Sequence, residues 1–310
     1  MTTRAEARLS EALRDLADVR PPHAIDVVAI EDAGRRLQRR TMAIRGTAGV
    51  AFSALLVAAL ALSGVINLGG ARRGTSDAQA GAHGQLAVLA AYIQRHAAAP
   101  TGDATLVVRT QSYASGGSNV GYDLYADDGT EYYGISPSNL TQGVATHQSE
   151  AGASAVSREA VVAVYALTGD LSVARERMAH AALQPGITPK VIYPSRISVT
   201  DTVDNLIWEN CLDTLTIDGG TAQVRAGVLR LLATLPEVSV VRGSTSGQPS
   251  LTLSAGSAMF SNGQMETLVI NANTGVPIGF SGGTSGHVPD VTISYQVSRV
   301  SLAQVAAGRL

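Results

Sequence analysis

The chain holds one cysteine, Cys211, in 310 residues. An intramolecular disulfide is therefore impossible, the fold must be held by its core, and a buried, inert thiol is the simplest reading of Cys211. Aromatic residues are only 4% of the chain, and Trp208 is the single tryptophan. Lysine is nearly missing too, with Lys190 alone beside 22 arginines. Charged residues make up 15% and almost balance, at −2, which leaves no basic surface for a nucleic acid partner.

The signatures of catalysis and metal binding are also missing. None of the six histidines (His23, His83, His96, His147, His180 and His287) has a partner at metal-ligand spacing, and HExxH does not occur. GxSxG, SxxK, Walker A and GxGxxG are absent. In Gly243 to Gly247 a threonine, Thr245, stands where a nucleophilic serine would, and the stretch reads as a polar loop. Asp127-Asp128 and Glu150 lack the second carboxylate that acid–base hydrolysis of a glycoside needs. These absences predict a protein without catalysis, metal or cofactor.

What the chain does have is one long charge-free run. No Asp, Glu, Lys or Arg lies between Arg45 and Arg72, and within that run Thr47 to Leu68 reads TAGVAFSALLVAALALSGVINL. About 20 apolar residues in a helix cross a hydrocarbon core of about 30 Å. The run has no polar face, as a buried core helix would, and it follows 46 hydrophilic residues, which a cleaved signal peptide would not. It is read as a single transmembrane helix. Arg35, Arg36, Arg39, Arg40 and Arg45 flank its amino end, against Arg72 and Arg73 beyond its carboxyl end. That excess puts the N-terminus in the cytoplasm and everything after the span outside it. The expected organisation is a cytoplasmic helical tail over 1–46, the membrane helix over 47–68, a flexible Gly/Ala/Ser linker over 69–84, and an extracytoplasmic domain over 85–310.

The tail opens with a capping box, Thr3 to Glu6, and an apolar stripe of Leu9, Leu13 and Leu16 that Pro21-Pro22 stops. In the outer domain, Leu86, Leu89, Ala90 and Ile93 mark an amphipathic helix. Strand signals follow over 104–113, then Tyr122, Leu124 and Ala126 alternate with Asp123, Tyr125 and Asp127, and Asp128-Gly129 turns the chain back through Tyr132 and Tyr133. The middle is helical. Ser157 caps a helix with Val161, Val164, Tyr165 and Thr168 on one face, and Asp170 caps a second with Leu171, Ala174 and Met178 inward. After an irregular, proline-rich connection over 184–196, a third helix aligns Val203, Ile207, Cys211 and Leu215, and a fourth, from Thr221, aligns Val224, Val228, Leu231 and Leu235. A β-meander closes the chain. Val238 and Val240 open it, Asn262-Gly263 suggests a two-residue hairpin, Asn273-Thr274-Gly275 a further turn, and the alternation from Val291 to Val297 is the cleanest strand. Tight turns require antiparallel pairing. The fold class expected is α+β, an antiparallel sheet of seven to nine strands covered on one face by helices.

Three stretches carry a resemblance: LADVRPP at Leu16 to Pro22, VRAGVLRLLATLPEV at Val224 to Val238, and VTISYQVSRV at Val291 to Val300. They resemble an uncharacterised group of single-pass membrane proteins from actinobacteria, and the arginine-rich, lysine-poor usage fits a GC-rich bacterial genome. The likeness in order of tail, anchor, helical middle and β-meander covers most of the chain. The group usually has a turn like Asp-Pro-x-Thr-Gly before the last strands, where this chain has Asn271-Ala272-Asn273-Thr274-Gly275 and so lacks an acidic position. The resemblance implies topology and fold, and no catalytic residues. Some members are encoded near sigma factors, which implies a regulatory setting.

Four aromatic residues are candidate contacts for a ligand or partner. Trp208 lies beside the Val203/Ile207 stripe, and Tyr122, Tyr125 and Tyr133 belong to a tyrosine cluster in the first strands, where alternation turns some of them outward. The function expected is that of a membrane-tethered sensor or interaction protein, with the lipid bilayer and an envelope or regulatory protein as partners. One alternative is a carrier of an apolar, lipid-like ligand between sheet and helices. A further one is a sigma-factor-associated membrane regulator, whose tail would need more than the 46 residues present and a zinc motif that His23, with no cysteine near it, does not begin.

Overall fold

The structure is a computed structural model and describes residues 75–97, 101–149, 154–183, 198–217, 219–256, 258–260 and 263–310. The tail, the membrane helix and the proline-rich connection expected from the sequence lie outside the described residues. Among those described, no helix is long and apolar enough to cross a membrane.

The strands form two meanders. The first is β1 (Ala104–Tyr113), β2 (Ser118–Ala126) and β3 (Glu131–Gly134). The second is β4 (Val238–Thr245), β5 (Gln248–Ala255), β6 (Gln264–Asn271), β7 (Pro277–Thr284) and β8 (Val291–Val300). The last strand lies antiparallel to the first, with Ala104 opposite Val300 and Tyr113 opposite Val291. One antiparallel sheet of eight strands results, in the order β3-β2-β1-β8-β7-β6-β5-β4. Helix α1 (Thr75–Arg95) precedes the first meander. Between the meanders run α2 (Pro137–Ala145), α3 (Ser154–Tyr165), α4 (Leu171–Ala181), α5 (Val199–Ile217) and α6 (Ala222–Leu232), and α7 (Leu302–Ala306) ends the chain. This is an α+β fold, an antiparallel sheet packed with helices.

Alternation assigns the two faces. On β1 and β2 the even positions Ala104, Leu106, Leu124 and Ala126 join Tyr132 in a small core, closed from outside by Leu140 and Val144 of α2 and Val305 of α7. The odd positions look the other way, towards α3, α5 and α6. On β8 the outward Ser294, Gln296 and Ser298 are exposed, so that side of the sheet meets solvent, as an antiparallel sheet can. Inward, Val238, Leu251, Leu253, Ala255, Leu268 and Ile270 of β4, β5 and β6 are buried.

Helix α5 is enclosed on almost every side, with Thr202, Asp204, Asn205, Trp208, Asn210 and Thr214 buried alongside its leucines and Ile207. Of the cap residues read from the sequence, Asp170 and Thr221 hold, whereas Ser157 lies inside α3, which begins three residues earlier at Ser154. The Asp170 carboxylate accepts from the backbone of Ser172 and Val173, and Thr221 Oγ1 accepts from the Val224 amide, starting α4 and α6.

Several local expectations are corrected. The linker expected over 69–84 is already helical from Thr75, because Thr75-Ser76-Asp77 offers polar starting residues and alanines follow. On α3 the buried residues are Glu159, Val162, Ala163 and Ala166, while Val164 and Thr168 are exposed. Close contact with α6 decides that phase, since a Cβ added at Gly227 would collide with the Ala163 carbonyl. Small residues let the two backbones approach, and this outweighs the β-branched stripe. The Asn262-Gly263 hairpin is not formed. Ala255 pairs with Glu266, so the connection runs from Gly256 to Gly263 and keeps Leu251 and Leu253 in line with Ile270 and Leu268. The tight two-residue turn is instead Ser246-Gly247, both at positive φ, the conformation that matches the twist of a hairpin. The sequence pattern also missed β7, whose Pro277, Gly279, Gly282 and Gly283 disfavour a strand until β6 and β8 flank it. It missed α2 as well, which Ser136 caps through the Asn139 amide at 3.1 Å.

Gly227→Ala should destabilise the domain by about 2–3 kcal/mol, since α3 and α6 must separate to admit one methyl group. A denaturant melt shows this as a lower midpoint with an unchanged slope, and an unshifted midpoint would refute the close-contact reading.

Candidate functional site

The inner face of the sheet changes character along its width. Over β4 to β6 its buried positions are hydrocarbon, with Glu266 of β6 half-buried among them. Over β3, β2, β1 and β8 the same face carries Tyr133, Asp123, Tyr125, Arg109, Gln111, Tyr295 and Arg299. Arg109 Nε donates to Asp123 Oδ2 at 2.6 Å, and Nη1 donates to Gln111 Oε1 at 3.3 Å. The guanidinium also lies 5.7 Å from the centre of the Tyr133 ring, a cation–π distance. Gly121, opposite Arg109 in the ladder, leaves room for it; a Cβ there would stand 3.1 Å from the guanidinium. Asp123 and Tyr133 are themselves cross-strand partners. The whole group is thus fixed by strand register.

Helix α5 supplies the facing side. Trp208 is fully buried and its indole Nε1 donates to Glu266 Oε2 on β6 at 2.8 Å. Glu209 follows it, and Asp213 stands one turn further along the helix. Burial pushes the Glu266 carboxyl up to about 7, against the pull of the Trp208 hydrogen bond and with a further push from Asp213. Burial raises Glu209 well above the ordinary carboxylate range, and Glu266 and Asp213 add to that. The phenols of Tyr125 and Tyr295 are raised by burial first; Asp213 acts on both, while Arg109 pulls both down. Asp213 therefore acts electrostatically on Tyr125 of the first meander, on Tyr295 of the second, and on the Glu266 that Trp208 holds.

A cleft of about 350 Å³ opens beside this group. Thr105, Tyr125, Glu131 and Arg299 line its sheet side, and Val161, Ile217 and Val224 its helix side. Arg299 forks onto Asp127 at 2.7 and 2.8 Å and donates to Thr105 Oγ1 at 3.0 Å, which ties β8 to the end of β2. The cleft therefore has one polar and one aliphatic wall and suits a small amphiphilic molecule or an inserted side chain better than a purely apolar one.

Of the candidates read from the sequence, Tyr125, Tyr133 and Trp208 come to the inner side of the sheet, where Asp213 acts on Tyr125 and on the Glu266 that Trp208 holds. Tyr122 does not join them. It faces the opposite way and packs against the core under α2 and α7. Sequence reasoning passed over Arg109, Asp123, Glu209, Asp213, Glu266 and Tyr295. A signal was present for Glu266, which shares strand parity with Leu268 and Ile270 and so puts a carboxylate in an apolar row.

Among the described residues no group of three His, Cys, Asp or Glu side chains is arranged to hold a metal ion. Cys211 is buried, and burial raises its thiol far above the ordinary range. It should therefore resist a thiol reagent in the native chain and react at once in denaturant; rapid native labelling would contradict its position.

The acid cluster sets the pH response of stability. A carboxylic acid raised on folding binds its proton more tightly in the native state, so it favours the native state below its ordinary pKa and ceases to do so as pH climbs through the raised value. Between the ordinary 4.5 and about 7 for Glu266, stability should fall as pH rises. Asp204, also raised by burial, acts in the same direction, whereas Asp128 and Asp170 are lowered and lose their contribution only at more acid pH. The thermal midpoint should therefore be higher near pH 5 than near pH 7.5. A scan showing the reverse would place Glu266 in water. No protein-family model matches the chain, and no curated protein or solved structure matches it either.

Proposed function

We propose that the chain is a membrane-tethered sensor or interaction protein whose α+β domain lies outside the cytoplasm and recognises a ligand or partner without catalysing a reaction. Two features support this. The arginine-flanked run from Thr47 to Leu68 has the length and composition of a membrane span with its N-terminus inside. The observation that carries the recognition role is the polar half of the inner sheet face. There Arg109, Asp123, Tyr125 and Tyr295 stand at inward positions, Asp123 buried and the other three half-buried, with half-buried Glu266 held by Trp208 nearby. A set of partly covered, paired polar groups beside an open cleft marks a place where the domain does something other than fold.

The partners under this reading are the lipid bilayer and an envelope or regulatory protein. A second reading, carriage of an apolar ligand, draws support from the aliphatic wall formed by Ala160, Val161, Ile217 and Val224. The facing wall of threonines, Glu131 and Arg299 argues against a purely hydrocarbon cargo. The third reading, a sigma-factor regulator, rests on the resemblance alone.

Protease added to intact cells should digest the part after the span and leave the tail protected. Recovery of the whole polypeptide in the soluble cytosolic fraction would overturn the tethered reading. Displacement of a fluorescent fatty acid from the purified chain would move the weight to the carrier.

A further inference from the structure

The polar wall of the cleft has a preference for one sign of charge. Among the described lining residues Arg299 is the one cation, beside the carboxylates of Asp127 and Glu131. Its donors are all engaged. Nε donates to the Thr101 carbonyl at 3.4 Å, Nη1 to Thr105 Oγ1 at 3.0 Å and Asp127 Oδ1 at 2.8 Å, and Nη2 to the Gly102 carbonyl at 3.0 Å and Asp127 Oδ2 at 2.7 Å. A guanidinium has five N–H groups, and here each meets an acceptor of the chain itself. The turn before α6 presses on the same side chain, since a Cβ added at Gly220 would stand 2.8 Å from Arg299 Cδ. An anion entering the cleft would have to break one of these bonds. Tyr125 and Glu131, by contrast, offer acceptors. They stand opposite each other in the β2–β3 ladder, and both line the cleft. Burial raises the Tyr125 phenol well above its ordinary range, so it is a neutral hydroxyl at physiological pH. A carboxylate has about four acceptor sites, so Glu131 can take a further donor beside the bonds it makes within the chain. Across the cleft the side chains of Ala160, Val161, Ile217 and Val224 are hydrocarbon.

We propose that this cleft binds a small primary aliphatic amine in its ammonium form, the nitrogen donating to Glu131 and to Tyr125 Oη and the alkyl chain lying along Val161, Ile217 and Val224. An alkylammonium keeps its proton at neutral pH, as the lysine side chain does with a pKa of about 10.4. It has three donors and no acceptor, which suits a wall that has acceptors to give. It also brings a positive charge to a lining of two carboxylates and one guanidinium. A carboxylate or phosphate would meet Asp127 and Glu131 with Arg299 already engaged. At about 350 Å³ the cleft is near the lower end of ligand sites, roughly 300–1,000 Å³, which limits the chain to a few carbons. The amine site rests on the recognition role proposed above and deepens it by naming the stimulus as a small organic cation.

The full chain in nonionic detergent at neutral pH is titrated calorimetrically with butylamine and hexylamine, and with hexanol and hexanoate as probes of equal length. Hexylamine should bind, and each methylene lost on the way to butylamine should weaken it by about fourfold. Hexanol should bind at least about tenfold more weakly, having no charge to present, and hexanoate should give no binding heat. Glu131→Gln should bring hexylamine down to the level of hexanol. Ala160→Phe, which fills the aliphatic side, should abolish amine binding with the thermal midpoint kept, and it decides the question if Glu131→Gln does not fold. Hexanoate binding as well as hexylamine, an amine affinity that either folded variant leaves unchanged, or no heat from any probe overturns the amine site. Protease shaving that places the domain in the cytoplasm would remove the tethered sensor and leave these titrations as they are. The two therefore fail separately.

Discussion

The structure depends on how a polar helix is kept inside. Helix α5 carries aspartate, asparagine, threonine and tryptophan on faces that its neighbours bury, and each needs a partner where it lies. Asp204 takes Arg175 from α4, and that arginine also donates to the Thr234 carbonyl beyond α6 at 2.9 Å. Asn210 Nδ2 donates to the Met178 carbonyl at 2.6 Å, and Thr214 Oγ1 to the Asn210 carbonyl at 2.6 Å. Trp208 reaches across to the sheet. These bonds fix α5 in rotation as well as position, which apolar packing alone does loosely. They tie α5 to α4, to β6 and, through Arg175, to the turn after α6.

The remaining packing follows from that axis. α6 lies against α3 at Gly227, and α1 lies over α6 with Ile93 and Leu229 both reaching Gly275 in the turn before β7. The sheet then has two unlike halves on one face. Its hydrocarbon half supplies the stability, while its polar half carries Arg109, Asp123 and three tyrosines at positions that register alone determines. The polar half runs one strand past the β1–β8 ladder that joins the two meanders, since β8 carries Tyr295 and Arg299 on the same face.

Much of this was legible in the residues, for reasons that can be stated. Period-two alternation over Val291 to Val297 marks β8 and puts Tyr295 on its inward row. Asp170 and Thr221 announce helices because a side-chain oxygen before an apolar period has little other use. Alternation also separates Tyr122 from Tyr125, but which of the two faces the site depends on α2 covering one side, and α2 is a short helix recognisable mainly by its Ser-Pro start. The phase of α3 was misread because close approach at Gly227 is a property of two helices together. β7 was invisible because its glycines gain strand geometry only from flanking strands. For the candidate site, the tyrosines and Trp208 stood out by rarity. Glu266, Glu209 and Asp213 did not, because their meaning arises where a strand and a helix distant in sequence converge.

The β1–β8 ladder has a consequence for how the chain comes together. Ala104 is among the early residues of the domain to be synthesised and its ladder partner Val300 among the last. Until β8 arrives, β1 is an open edge with Val107 and Arg109 uncovered, and the first meander can be only a three-stranded fragment. Ladders that join such distant segments close slowly, because the intervening loop must be gathered first. Maturation of this domain is therefore timed by its C-terminal strand, and a chain cut short before Val291 would leave its first strand seeking a partner in other molecules.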